Sequence, residues 1–203
     1  MIVKVNWKKN IKNMSKTNNN SIENEDRFYS SKILYDGIES IFNELNEVIK
    51  DNMNKEYFNS INEFILDTKD LKNKLNNKLL VEKMIFNELN ESIDYTIIVK
   101  DDKKDKKELL TNLINKYIDF QYEIMKDCFF ILKEFSYINI NMYKKYVSDF
   151  KYKIMSLSNA INLANINIMA NIEYIEDINK KRAFEENVIA LIDRFNEIYS
   201  KYK

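Results

Sequence analysis

The sequence predicts an all-α fold, an elongated antiparallel bundle of four or five long helices with coiled-coil-like seams. Two observations carry that expectation. The chain has no proline and one glycine, Gly37, in 203 residues, where average usage would supply roughly 10 and roughly 14. Proline breaks helix hydrogen bonding and glycine serves tight turns, so a chain nearly without both makes few corners and long elements. The second observation is spacing. Apolar residues recur every third or fourth place through most of the chain, as one face of a helix requires.

Residues 1–20 read as a basic N-terminal arm, and residues 21–203 as the helical bundle domain. The arm carries five lysines and no acid, leaving 27 basic against 32 acidic residues in the remainder. Lys4, Trp7, Lys8, Lys9, Lys12 and Lys16 are its candidate interaction residues, because cations beside an apolar anchor suit an interface.

The first bundle helix is expected to start near Ser21, with Asn20 and Glu23 spaced as a capping box. Leu34, Ile38, Ile41, Leu45 and Val48 form its buried stripe. Gly37 lies inside that stripe, where a close helix crossing would account for it, as would drift. A turn is expected over Asp51–Asn54, with Asn54 capping the helix that follows. The second helix runs from about Lys55 to Ile98 through Ile61, Ile65, Thr68, Leu71, Leu75, Leu79, Phe86 and Leu89. Its length favours a break near Asn76-Asn77. Lys100 to Lys107 has no apolar residue and reads as a connection.

The third helix carries Leu110, Leu113, Tyr117, Phe120, Ile124, Cys128, Ile131, Phe135 and Ile138, the most apolar seam in the chain. A turn follows at Asn139 to Asn141. The fourth shows Tyr143, Val147, Phe150, Ile154, Leu157, Ile161, Ala164 and Ile168, and its pattern extends through Ile172, Ile175 and Ile178. A last segment repeats it with Phe184, Val188, Leu191, Phe195, Ile198 and Tyr202. One continuous helix here would exceed ~60 residues, so a bend is expected around Asn179 to Arg182.

Much chemistry is excluded. There is no histidine, which removes serine–histidine and cysteine–histidine catalysis and the commonest transition-metal ligand. Cys128 falls on a core seam and reads as a packing residue. One glycine cannot build a phosphate-binding loop. Asp101-Asp102-Lys103-Lys104-Asp105 resembles, over five residues, the aspartate-rich motif of helical prenyl and terpene synthases, but sits in a lysine-rich connection. Glu44 with Glu47, and Glu88 and Glu91 with Asp94, are spaced like the magnesium-binding acids of all-α nucleotide pyrophosphatases.

The expectation is therefore a non-enzymatic protein–protein interaction or scaffold protein, with no cofactor or metal and an unidentified protein partner. A homodimer would cover Phe129, Phe130, Tyr146, Tyr152 and Tyr174, which lie off the seams. Two alternatives stand beside it. One is a peripheral membrane-surface protein acting through residues 1–20, similar to BAR dimers by architecture alone. The other is a magnesium-dependent all-α enzyme acting on nucleotides. No nucleic-acid binding is expected from an acidic body with three arginines. No apolar run of ~18 residues and no signal-peptide core are present, so an intracellular, soluble protein is expected.

Overall fold

The structure is a computed structural model and describes residues 29–51, 58–98 and 103–202. Among these residues there are five α-helices and no strand: α1 (Ser30–Asp51), α2 (Phe58–Ile98), α3 (Lys103–Phe135), α4 (Val147–Asn171) and α5 (Ile178–Tyr199). Short 3-10 turns occupy Ile140–Met142, Ile172–Tyr174 and Ser200–Tyr202.

Pairings between helices fix the topology. Ser30 meets Glu82 and Lys72 meets Glu39, so α1 and α2 run in opposite directions. Lys78 pairs with Asp127 and Lys116 with Glu88, which makes α2 and α3 antiparallel. Lys153 reaches Glu44 and Lys145 reaches Asp51, which does the same for α1 and α4. These four helices form an up-down-up-down bundle. Helix α5 packs mainly on α3 and runs parallel to it, as Tyr122 against Phe184, Phe129 against Arg194 and Phe135 against Tyr202 record. With 41 residues, α2 spans roughly 60 Å at 1.5 Å per residue.

The core follows the seams. Leu34, Ile38, Ile41, Leu45 and Val48 are fully buried on α1, and Ile124, Cys128, Ile131 and Phe135 on α3. One layer is aromatic: Phe64, Phe150 and Tyr202 surround Phe135 with ring centroids 5.6, 5.5 and 6.0 Å away, and Phe42 stands 5.8 Å beyond Phe64. Gly37 sits at the α1–α4 crossing as the close-approach reading requires. A Cβ there would stand 3.0 Å from the Ser156 Cβ.

Several boundaries differ from expectation. No break occurs at Asn76-Asn77, which are exposed positions on an unbroken α2. Asparagine costs a helix only a few tenths of a kcal/mol, and burial of Leu75 and Phe64 on the same helix outweighs that. Helix α3 starts at Lys103, inside the charged run read as a connection. The turn after α3 is longer than Asn139 to Asn141 and covers Ser136 to Tyr146. The bend before α5 falls at Ile175–Asp177 rather than at Asn179 to Arg182. Ile175 is extended there, and the Asp177 carboxylate accepts from the Asn179 and Lys180 amides at 2.9 and 3.1 Å. Such a cap starts a helix without glycine or proline. Tyr146 is buried, its hydroxyl on Asp51, whereas Tyr152 and Tyr174 are exposed.

The expected helix start near Ser21, the Asn54 cap and the 1–20 arm lie outside the described residues. No helix among the described residues is long and apolar enough to cross a membrane.

Candidate functional site

The first turn of any α-helix leaves backbone N–H groups without intrahelical partners. Helix α1 satisfies its own with a carboxylate borrowed from another helix. Glu82, in the middle of α2, is fully buried, and its Oε1 and Oε2 accept from the Ser30 and Ser31 amides at 3.3 and 3.0 Å. The Ser31 hydroxyl also donates to Oε2. From α3, the Gln121 Nε2 donates to Oε1 at 2.6 Å. The Ser30 hydroxyl lies 3.0 Å from Glu82 Oε1 and 2.6 Å from Gln121 Oε1. It has one hydrogen to give, and the shorter contact to Gln121 takes it. Glu82 thereby receives four hydrogen bonds, and Ser30, Ser31 and Gln121 are buried with it. The positive end of the α1 dipole adds to this, because it favours negative charge at a helix N-terminus.

An aromatic collar lies beside the knot. Tyr29 packs edge-on to Phe86 at 5.8 Å, and Phe86 lies 6.5 Å from Tyr117. The Lys83 ammonium sits 5.9 Å over the Tyr29 ring. Burial holds the Tyr117 hydroxyl far above the usual phenol range, and the charges of Glu82 and Tyr29 push the same way. Tyr117 therefore remains a neutral donor at any ordinary pH. The arrangement joins a desolvated carboxyl, an amide able to donate and accept, two hydroxyls and a neutral phenol. Proton transfer and recognition of a polar nitrogen group are what these groups can do.

The residues expected to act lie elsewhere. Lys4, Trp7, Lys8, Lys9, Lys12 and Lys16 are outside the described residues. Glu44 is paired with Lys153, Glu47 with Lys50 and Glu88 with Lys116, so these acids do not converge. Among the described residues no three His, Cys, Asp or Glu side chains are placed to share a metal ion. Cys128 is fully buried, and burial pushes its thiol pKa well up, as a packing residue requires.

Sequence reasoning passed over Glu82 and Gln121, although a signal existed. Thr68, Leu75, Glu82 and Leu89 fall seven apart on α2, and Ile114, Gln121, Cys128 and Phe135 do so on α3. Both polar residues occupy positions the pattern assigns to the core. The apolar stripe on α2 passes from Leu79 to Phe86 and so steps over Glu82, which faces inward.

Comparison with known proteins adds one finding. Residues 46–190, more than two-thirds of the chain, match the family described as formiminotransferase-cyclodeaminase. No curated protein and no solved structure matches significantly. The matched span contains Glu82, Tyr117 and Gln121. It overturns the expectation of a chain with no enzymatic role, because the family is that of an enzyme. The absence of histidine misled here: it excludes particular catalytic machinery, whereas carboxyl, amide and phenol groups remain. With an all-α bundle matched over this length, the chain belongs to the formiminotransferase-cyclodeaminase family.

Proposed function

We propose that the chain acts as a ring-closing deaminase domain of the kind its family's description names, with Glu82, Gln121 and Tyr117 as its acid–base centre. The observation that carries this reading is the family match over residues 46–190, which includes all three residues. Ring closure with loss of ammonia makes definite demands. A nitrogen of the substrate attacks the formimino carbon and loses a proton, the carbon–amine bond breaks, and the departing nitrogen gains a proton. Without histidine, those protons fall to a carboxyl group. Glu82 is the base, and the proton it takes from the attacking nitrogen is returned to the leaving one. Tyr117, held neutral by burial and by the charge of Glu82, donates a hydrogen bond and keeps its proton. Gln121 orients the carboxylate through its 2.6 Å hydrogen bond and can turn its oxygen to an imino N–H.

Glu82 is fully buried, so substrate reaches it only when the first turn of α1 lifts and Ser30 and Ser31 release the carboxylate. Local opening of a helix end is an ordinary low-energy fluctuation. The purified full chain is expected to release ammonia from formimino compounds that carry a second nitrogen positioned for ring closure. Glu82→Gln should lower that rate by about 100-fold or more, the span associated with general acid–base catalysis, and Tyr117→Phe by less. Circular dichroism would establish that both variants fold. A wild-type chain that releases no ammonia, or a Glu82→Gln protein of undiminished activity, overturns the reading.

A further inference from the structure

Charge covers much of the solvent side of this bundle, and α4 departs from that. The chain is 32% charged. Asp36 and Glu47 on α1, Glu123 and Lys126 on α3, and Arg182 and Glu186 on α5 all stand exposed. From Ile154 to Ile172, through α4 and into the turn after it, there is no Asp, Glu, Lys or Arg. One side of that run faces the core through Ile154, Leu157, Ile161, Ala164 and Ile168. The other side does not.

Outward positions on α4 form a second strip. Tyr152, Met155 and Ile166 are 70%, 42% and 60% exposed, with Asn159 and Asn162 exposed between them. Steps of three and four residues keep these on one face of the helix, which continues to Ala170 and Glu173. A solvated helix face is ordinarily charged, so apolar and amide groups here describe a face suited to burial. The spacing also reads the same in both directions. Reversed about the midpoint of Asn162 and Leu163, Tyr152 falls on Glu173, Met155 on Ala170 and Asn159 on Ile166. A two-fold contact makes such reversed pairings, because each residue meets its counterpart twice. Asn162 then meets Asn162 of the second copy, and a carboxamide, being donor and acceptor, complements itself. Its bond to Ser158 within the helix is long, at 3.4 Å. Glu173 is exposed and pairs with Lys181 at 2.8 Å, which leaves carboxylate lone pairs for the Tyr152 hydroxyl. A charged partner would find no counter-charge along this strip, whereas a second copy needs none.

We propose that two copies of this chain associate through the outer face of α4, antiparallel about the midpoint of Asn162 and Leu163. The strip from Tyr152 to Glu173 runs ~32 Å. One helix pair of that length lies at the small end of specific interfaces, below about 1,200 Å² in total. The dimer is therefore reversible, with a dissociation constant of about 10 to 100 μM. Glu82 belongs to α2, diagonally across the bundle, so success or failure here is independent of the deaminase reading.

Sedimentation equilibrium of the full chain tests this. Between about 2 and about 500 μM the mass should rise from 24.5 kDa toward twice that value. Ile166→Glu and Asn159→Lys change exposed positions and leave the core intact, as circular dichroism would establish. Each alone should weaken association at least about tenfold, because it sets an unpaired charge in a closing interface. Mixing the two variant chains should recover association to within about threefold of wild type, since carboxylate and ammonium then meet across the contact. A chain that stays at 24.5 kDa throughout, or an Ile166→Glu protein that associates as the wild type does, overturns the proposal. A mixture as weak as its components overturns the antiparallel register. A monomer that instead co-sediments with phosphatidylcholine vesicles, and loses that with Ile166→Glu, assigns the strip to a lipid surface and overturns the second copy.

Discussion

Two cross-sections of this bundle, roughly 20 Å apart along α3, tie the same helices together by opposite means. Around Phe135, rings from α2, α4 and the C-terminal turn pack at 5.5 to 6.0 Å, with α1 joined through Phe42 and Phe64. Around Glu82, side-chain and backbone donors from α1 and α3 converge on one carboxylate. Both sections are buried. In the first the attraction is non-directional and scales with area, so it depends on volume and tolerates exchange among apolar shapes. In the second every partner has one place and one hydrogen to give or receive. Loss of a single group then strands the others in a medium that cannot solvate them.

Substitutions that keep the shape sharpen the contrast more than deletions do. Phe135→Ala should have the largest effect on stability, about 4 kcal/mol, from lost transfer energy and the cavity left among three rings. Phe135→Leu retains most of the volume and should cost about 1.5 kcal/mol. Glu82→Ala should cost about 3 kcal/mol, because the Ser30 and Ser31 amides and the Gln121 amide lose their acceptor together. Glu82→Gln matches the native shape closely yet turns an NH2 toward donors that already face it. Its cost should stay near 2 kcal/mol, above that of Phe135→Leu. Urea unfolding of the four variants decides the matter. Should Glu82→Gln prove milder than Phe135→Leu, directionality does not distinguish the two sections.

That contrast also explains what could be read from the sequence. The Phe135 section announces itself through period. Phe135 continues the Ile124, Cys128, Ile131 seam, and burial needs only an apolar residue every three or four places. The all-α bundle and its core stripes follow from such regularities, and a close crossing at Gly37 is one of the two explanations they leave. The Glu82 section leaves no comparable trace, because a glutamate beside Lys83 resembles a solvated residue until its phase is checked. Even then nothing local indicates that its partners stand 39, 51 and 52 residues away. The bend at Asp177 failed to be read for a related reason. The pattern of isoleucines runs on through Ile172, Ile175 and Ile178, and only the cap bonds from the Asn179 and Lys180 amides to Asp177 show where the next helix begins.

Gly37 tests the seam that joins the two sections along α1. Alanine in a helix interior is favoured over glycine by about 1 kcal/mol, so an exposed glycine there would reward substitution. Here the added Cβ would stand 3.0 Å from the Ser156 Cβ, an atom fixed to the α4 backbone that cannot rotate away. The helices must part, and overpacking of this kind costs about 2 kcal/mol. Gly37→Ala should therefore lose about 1 kcal/mol net. Combined with Ser156→Gly the loss should vanish, and a double-mutant cycle by urea unfolding measures that coupling. Equal losses with and without Ser156→Gly would show that the crossing is not the constraint.

The smallest effect is expected at Asp127, a largely buried counterpart of Glu82 whose side chain is 14% exposed. Its carboxylate pairs with Lys78 between α2 and α3. Burial nevertheless raises its pKa above the ordinary value of 3.8, outweighing the pull of the lysine. A raised carboxyl pKa means that ionisation works against the folded state. Its stabilising contribution is complete below the unfolded pKa near 3.8 and declines as pH rises through the folded value. Asparagine at this position does not titrate. Relative to Asp127→Asn, the wild type should thus lose stability between acid and neutral pH, and at pH 7 the variant should equal or exceed it within about 1 kcal/mol. The other carboxyl groups titrate in both proteins and cancel in the difference. Urea unfolding from pH 3 to 7 reads the slope directly. A loss beyond about 2 kcal/mol at pH 7 would mean that the Lys78 pair outweighs the cost of burying Asp127, and that the polar contacts of this bundle stabilise even where they are incompletely enclosed.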